Sequence, residues 1–150
     1  MKYILSLLAL TFFLSTSTHA QSNKTVTWSY ETKKINDKEF DLVFKATIKK
    51  GIHMYSQHIG EGGPIPTSFT FKPDAGYARV DSVIEKSKPV IIHDAMFDMQ
   101  LTYFFDEAIF VQHVKLTGSV KTISGSLEFM SCDETKCFPP ETVNFEFKLP

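Results

Sequence analysis

The chain has 150 residues, of which 43% are hydrophobic and 13% aromatic, and its formal net charge is −1. That length suits one ordinary domain with a substantial core. A near-neutral chain has no electrostatic footprint for nucleic acid or for an anionic membrane surface, so neither is expected as a partner.

Lys2 precedes an apolar run from Tyr3 to Leu14, and Thr18-His19-Ala20 fits a small-x-small cleavage site. The run is too short to cross a bilayer, so residues 1–20 read as a secretory signal peptide and not as a membrane span. No cysteine follows the run to carry a lipid. Residues 21–150 are then the mature domain, and without Lys2 the formal charge of −1 becomes −2. No second apolar stretch is long enough for a transmembrane helix. The expected location is periplasmic or otherwise exported. Disulfides form and persist there, so the two cysteines are expected to meet.

Strand signals follow in chain order. "VTWSY" offers Val26, Trp28 and Tyr30 to one face. "EFDLVFKATIKKG" alternates with a period of two: Phe40, Leu42, Phe44, Ala46 and Ile48 point one way, Asp41, Lys45, Thr47 and Lys49 the other. Such alternation marks a strand with one buried face. "TSFTFKP", "ARVDSVIE", "FDMQLTYFF" and "AIFVQHVKL" are rich in β-branched and aromatic residues and read as further strands. "TVNFEFKL" repeats the alternation, with Val143, Phe145, Phe147 and Leu149 inward. The segments "NDK", "KKG", "EGGPIP", "KPDAG", "KSKP", "DEA" and "TISG" read as turns. Beyond residue 20 no helical period longer than about two turns occurs. The expected fold is all-β, an immunoglobulin-like antiparallel β-sandwich, with a small barrel as the competitor.

Both cysteines lie in "EFMSCDETKCFPPET", residues 128–142. Cys132 and Cys137 flank the loop Asp133-Glu134-Thr135-Lys136 between two strand segments, and across such a loop their Cα atoms reach disulfide range. Closing so short a loop removes only about 2 kcal/mol of unfolded-state entropy. A staple is therefore worth little here, and a loop tip is where a partner thiol reaches a sulfur. Lys136 favours a Cys137 thiolate, while Asp133 and Glu134 act against it. Pro139 and Pro140 remove two backbone donors just past the second cysteine. These features leave a structural disulfide and a redox pair both open. The histidines at 53, 58, 93 and 113 have no zinc spacing to the cysteines, and no metal or cofactor is expected. No nucleophile elbow supports hydrolysis.

"SCDETKCFPPET" resembles the active-site segment of the amino-terminal periplasmic domain of the DsbD thiol:disulfide interchange family. The matching residues are Cys132, Cys137, Phe138, Pro139, Pro140, Glu141 and Thr142. "VTWSYETKKIND", "ATIKKGIHMYSQ" and "GGPIPTSFTF" are similar to the family's first strands, so the resemblance covers about residues 25–149. It implies an immunoglobulin-like domain with protein-disulfide reductase-type exchange. Cys137 would attack partner disulfides and Cys132 would resolve the mixed disulfide. The implied partners are thioredoxin-like proteins, including those of cytochrome c maturation, and a membrane electron transporter. If these 150 residues are the whole chain, the electrons are expected from a separate membrane transporter or a soluble thioredoxin-like protein.

"IIHDAMFDMQ" resembles the family's cap loop, which implies that Phe97 covers the sulfurs. Tyr55 matches an aromatic near the active site. A family acid of that loop falls at Ala95, with Asp94 and Asp98 nearby, which leaves carboxylate tuning of the thiols open. Two alternatives to the relay stand beside it. One is a binding module with an inert disulfide. The other is a copper-handling protein using His53, Met54, His58, His93, Met96, Met99 and Met130.

Overall fold

The computed structural model describes residues 24–150; the signal peptide expected at residues 1–20 lies outside them. Among the described residues the strands are β1 (Val26–Lys34), β2 (Glu39–Ile48), β3 (His53–Tyr55), β4 (Ser68–Phe71), β5 (Tyr77–Glu85) and β6 (Val90–Asp94), followed by β7 (Met99–Phe104), β8 (Glu107–Leu116), β9 (Thr122–Phe129), β10 (Ser131–Cys132) and β11 (Glu141–Lys148). They form three antiparallel sheets, ordered β1-β2-β8-β5, β11-β9-β4 and β10-β3-β7-β6. This is the all-β, immunoglobulin-like arrangement that the alternation predicts.

The first two sheets face each other across an aromatic core. Phe40, Leu42, Phe44, Ala46 and Ile48 of β2 are all buried, as are Phe145 and Phe147 of β11. The Phe44 ring lies 4.7 Å from that of Phe69 and 4.9 Å from those of Phe145 and Phe147, edge-on or tilted. Burying each such ring contributes about 1.5–3 kcal/mol, and the tilted geometry suits the ring quadrupoles. Outward-facing Lys45 meets Glu107 at 2.5 Å on the solvent side.

The third sheet continues the second. β9 ends at Phe129, and one residue later Ser131 and Cys132 pair with Met54 and His53 of β3. Met130 is the step between sheets, and its carbonyl accepts the Tyr55 amide at 3.3 Å. Period-two alternation gives the third sheet two different faces. Met54 and Phe104 join the main core, whereas Tyr55, Leu101, Tyr103 and Cys132 form a second apolar cluster on the other face.

The structure corrects three local readings. "TISG" is not a turn: Thr122–Gly125 open β9 and pair along β11. "IIHDAMFDMQ" is not simply a loop, because Val90–Asp94 pair with Met99–Tyr103 and leave only four residues at the bend. "DEA" shrinks to Asp106, whose φ of 58° lets β8 begin at Glu107. Composition misled in these places because glycine and aspartate mark close packing and edge hairpins as well as loops.

Candidate functional site

Cys132 and Cys137 are joined by a disulfide, with their Cα atoms 4.0 Å apart. The loop between them is tightly tied. The Asp133 amide donates to the Lys136 carbonyl at 2.9 Å, and the Phe138 amide to the Ser131 carbonyl at 2.9 Å. The Asp133 carboxylate accepts the Thr135 amide and hydroxyl and the Lys136 amide, each at 2.8 Å. Those bonds, led by the Thr135 amide, hold the Asp133 carboxyl below the usual range. The aspartate in the loop is thus occupied in shaping it. Lys136 Nζ lies 5.3 Å over the Phe138 ring, a cation–π contact.

The two sulfurs have different surroundings. Cys132 is fully buried, which corrects the expectation that both cysteines sit at an open loop tip. Cys137 is half-buried and is the cysteine on the solvent side. The cause is the sheet step: β10 pairs with β3 and draws Cys132 inward, while Cys137 belongs to the returning loop.

Tyr55, fully buried on β3, places its hydroxyl 3.1 Å from Cys132 Sγ and 3.7 Å from Cys137 Sγ. Disulfide sulfurs carry no proton, so Tyr55 is the donor in this oxidised state. Burial, reinforced by the Asp94 charge, pushes the Tyr55 hydroxyl well above its ordinary value. It therefore stays protonated at any ordinary pH and keeps a proton to offer to a sulfur. Phe97 is half-buried in the bend between β6 and β7 and packs on the cysteine cluster. Its ring meets Tyr55 edge-to-face at 6.2 Å. Ile59, Met99 and Met130 complete the apolar surround.

Two residues not assigned to the cysteines from sequence, Tyr103 and His53, also belong here, together with Asp94, which the sequence placed only near the cap position. The Tyr103 ring lies 5.3 Å from Tyr55 and stacks on His53 at 4.2 Å. His53 is the direct strand partner of Cys132, and its Nε2 is buried without a hydrogen-bond partner. Asp94, 6% exposed, accepts from the Tyr103 hydroxyl. The signal for all three was alternation on β3, β6 and β7, readable only once the register is known. The candidate copper ligands are not gathered at one place. Met54 is in the main core, Met99 and Met130 pack on the cysteine cluster, Met96 is exposed, and His93 meets Asp98 at 3.2 Å. Among the described residues no group of three or more His, Cys, Asp or Glu side chains is placed to hold a metal ion. A surface depression of about 240 Å³ beside Tyr30, Val43 and Ile109 lies on the first sheet and shares no residue with the cysteine cluster.

An immunoglobulin-like domain with a disulfide set under aromatic rings where two sheets meet is built for thiol–disulfide exchange. The chain belongs to the family described as thiol:disulfide interchange protein DsbD, N-terminal, whose model matches residues 21–149. Solved structures share the fold at low identity. The reduced DsbD N-terminal domain of Neisseria meningitidis is similar at 19% identity and TM-score 0.52, over 81% of this chain and 84% of that one. The N-terminal periplasmic domain of ScsB from Proteus mirabilis is similar at 16% identity and TM-score 0.59, over 81% of this chain and 46% of that one. The complex between the DsbD and PilB N-terminal domains of Neisseria meningitidis contains a match at 17% identity and TM-score 0.50, over 79% of this chain and 80% of that one. No curated protein sequence matches the chain significantly.

Proposed function

We propose that this domain relays electrons through the Cys132–Cys137 pair, between a membrane transporter or thioredoxin-like reductant and exported thioredoxin-like acceptors. The observation that carries the reading is the unequal disulfide: one buried sulfur, one solvent-side sulfur, and a tyrosine hydroxyl within reach of both. A reductant's thiolate attacks Cys137 Sγ, the S–S bond breaks, and Cys132 leaves as a thiolate. The Tyr55 hydroxyl is placed to hydrogen-bond that thiolate, which lowers the cost of charge in a buried position. The reductant's second thiolate then attacks the mixed disulfide. It departs oxidised, and two electrons remain on Cys132 and Cys137 as thiols. In the forward half, the Cys137 thiolate attacks an acceptor disulfide and Cys132 resolves it by the same steps reversed.

Phe97 covers the pair until a partner displaces it. The similarity to a complex of a DsbD N-terminal domain and a PilB N-terminal domain supports a protein partner. The similarity to an N-terminal periplasmic domain supports an exported location. The family match begins at residue 21, which supports reading residues 1–20 as a signal peptide and 21–150 as one domain. Among the described residues no helix is long and apolar enough to cross a membrane.

Trapping tests the reading. With Cys132→Ser, the mixed disulfide on Cys137 cannot be resolved from within. Thioredoxin-like proteins of the exported compartment are expected to accumulate on it as adducts that dithiothreitol releases. If Cys132→Ser captures nothing, and the double serine variant retains all biological activity, the domain is a binding module with an inert bond.

A further inference from the structure

β6 is an exposed edge strand: Val90, Ile91 and Ile92 all face solvent to a large extent. Asp94, at its end, is the exception, a carboxylate almost wholly withdrawn from water. A buried carboxylate is tolerated only where hydrogen bonds replace its hydration. Here three donors do so. Oδ1 accepts the Met96 amide at 2.8 Å and the Phe97 amide at 3.1 Å, and Oδ2 accepts the Tyr103 hydroxyl.

These bonds tie the bend of the β6–β7 hairpin to a side chain further along β7, in addition to the strand ladder that already joins the two strands. The amides belong to the four-residue bend Ala95–Asp98, three of whose members are exposed and whose return depends on Asp98 at a φ of 50°. The hydroxyl belongs to Tyr103, 4% exposed in the floor beneath the cysteines and packed against Tyr55 and His53. Phe97, carried by the bend, packs on the cysteine cluster and meets the Tyr55 ring. Beyond the β6–β7 ladder and its continuity with β7, the bend is tied to the floor by two side chains, the Phe97 ring and the Asp94 carboxylate.

We propose that Asp94 is the latch of the Phe97 cover. By tying the bend to Tyr103, it sets how often the cover lifts and exposes the disulfide to a thiol. It touches neither sulfur and acts as a positioning residue. The inference rests on reading Phe97 as the cover, and it is independent of which protein the pair serves.

The test is the second-order rate at which dithiothreitol reduces the native, folded disulfide. In that reaction the dithiol's two thiols close to a cyclic disulfide and Cys132 and Cys137 become thiols. Asp94→Ala removes both sets of bonds and is expected to raise the rate roughly 5- to 30-fold, the population shift that one or two kcal/mol of lost closure produces. Tyr103→Phe keeps the ring and the bend but cuts the tie, and is expected to accelerate reduction in the same direction. Asp94→Asn, which still accepts both amides and still meets the hydroxyl, is expected to restore most of the slow rate. In a Phe97→Ala background, Asp94→Ala is expected to add less than about twofold, because the cover it holds is gone. Wild-type rates in both Asp94→Ala and Tyr103→Phe would overturn the proposal. So would equal acceleration with and without Phe97, which would make Asp94 a hairpin residue and nothing more. If Asp94→Ala fails to fold, Tyr103→Phe decides. Because dithiothreitol stands in for the partner, failure of the relay would show in trapping and leave these rates unchanged.

Discussion

His53 shows what a single side chain does at the cysteine end. It is half-buried beside Cys132, and that burial pushes its imidazole below the ordinary value of 6.5, against the opposing pull of Asp94 and Asp133. The folded state thus prefers the neutral ring, and the unfolded chain takes up the proton first as pH falls. Its stabilisation is fully present above the unfolded value and is lost as pH drops below it toward the folded value. Urea midpoints are accordingly expected to fall between about pH 7.5 and about pH 5.5 in the wild type, and to fall less in His53→Phe, which keeps a flat ring on Tyr103. Identical pH slopes for the two proteins would show that His53 is not held neutral by burial. Cys132, Cys137, Tyr55 and Phe97 were legible in the sequence because they stand in or near a recognisable segment. Tyr103 was not, and Asp94 was legible only as an acid near the cap position, because only strand register brings these residues and His53 to the same face as the sulfurs. His53 was legible only as a candidate metal ligand, and the structure stacks its ring on Tyr103.

Elements with one dry face were the easiest to read. β2 and β11 bury alternate residues and announce themselves by it. β3 and β10 are too short to establish a period, and β6 is solvated on both faces as an edge strand, with Ile91 69% exposed. β9 was partly hidden by Gly125, which reads as a turn residue. Its actual role is close approach. A Cβ at that position would stand 2.1 Å from the Thr70 carbonyl oxygen of β4 and 2.6 Å from the Phe145 ring of β11. Both contacts belong to the middle of the second sheet, where a backbone atom has no room to yield. Gly125→Ala is therefore expected to destabilise the domain by about 1–3 kcal/mol through overpacking, read as a lower denaturant midpoint at unchanged slope. An unchanged midpoint would mean that β4 is free to move away.

At the scale of the whole molecule, the core and the site are separate. The aromatic core between the first two sheets supplies the folding free energy, and the third sheet turns one face toward that core and the other toward the cysteines. The disulfide closes a loop of four intervening residues and adds only about 2 kcal/mol by chain entropy. A fold that does not depend on its disulfide is free to open and close it in service. The most direct measurement is a redox equilibrium of the folded domain against a dithiol buffer of known potential, with folding followed in the same samples. A reduction potential more positive than about −300 mV, with the domain folded in both states, is the expected result. A potential below that value, or unfolding on reduction, would contradict electron relay and leave Cys132–Cys137 as a structural bond.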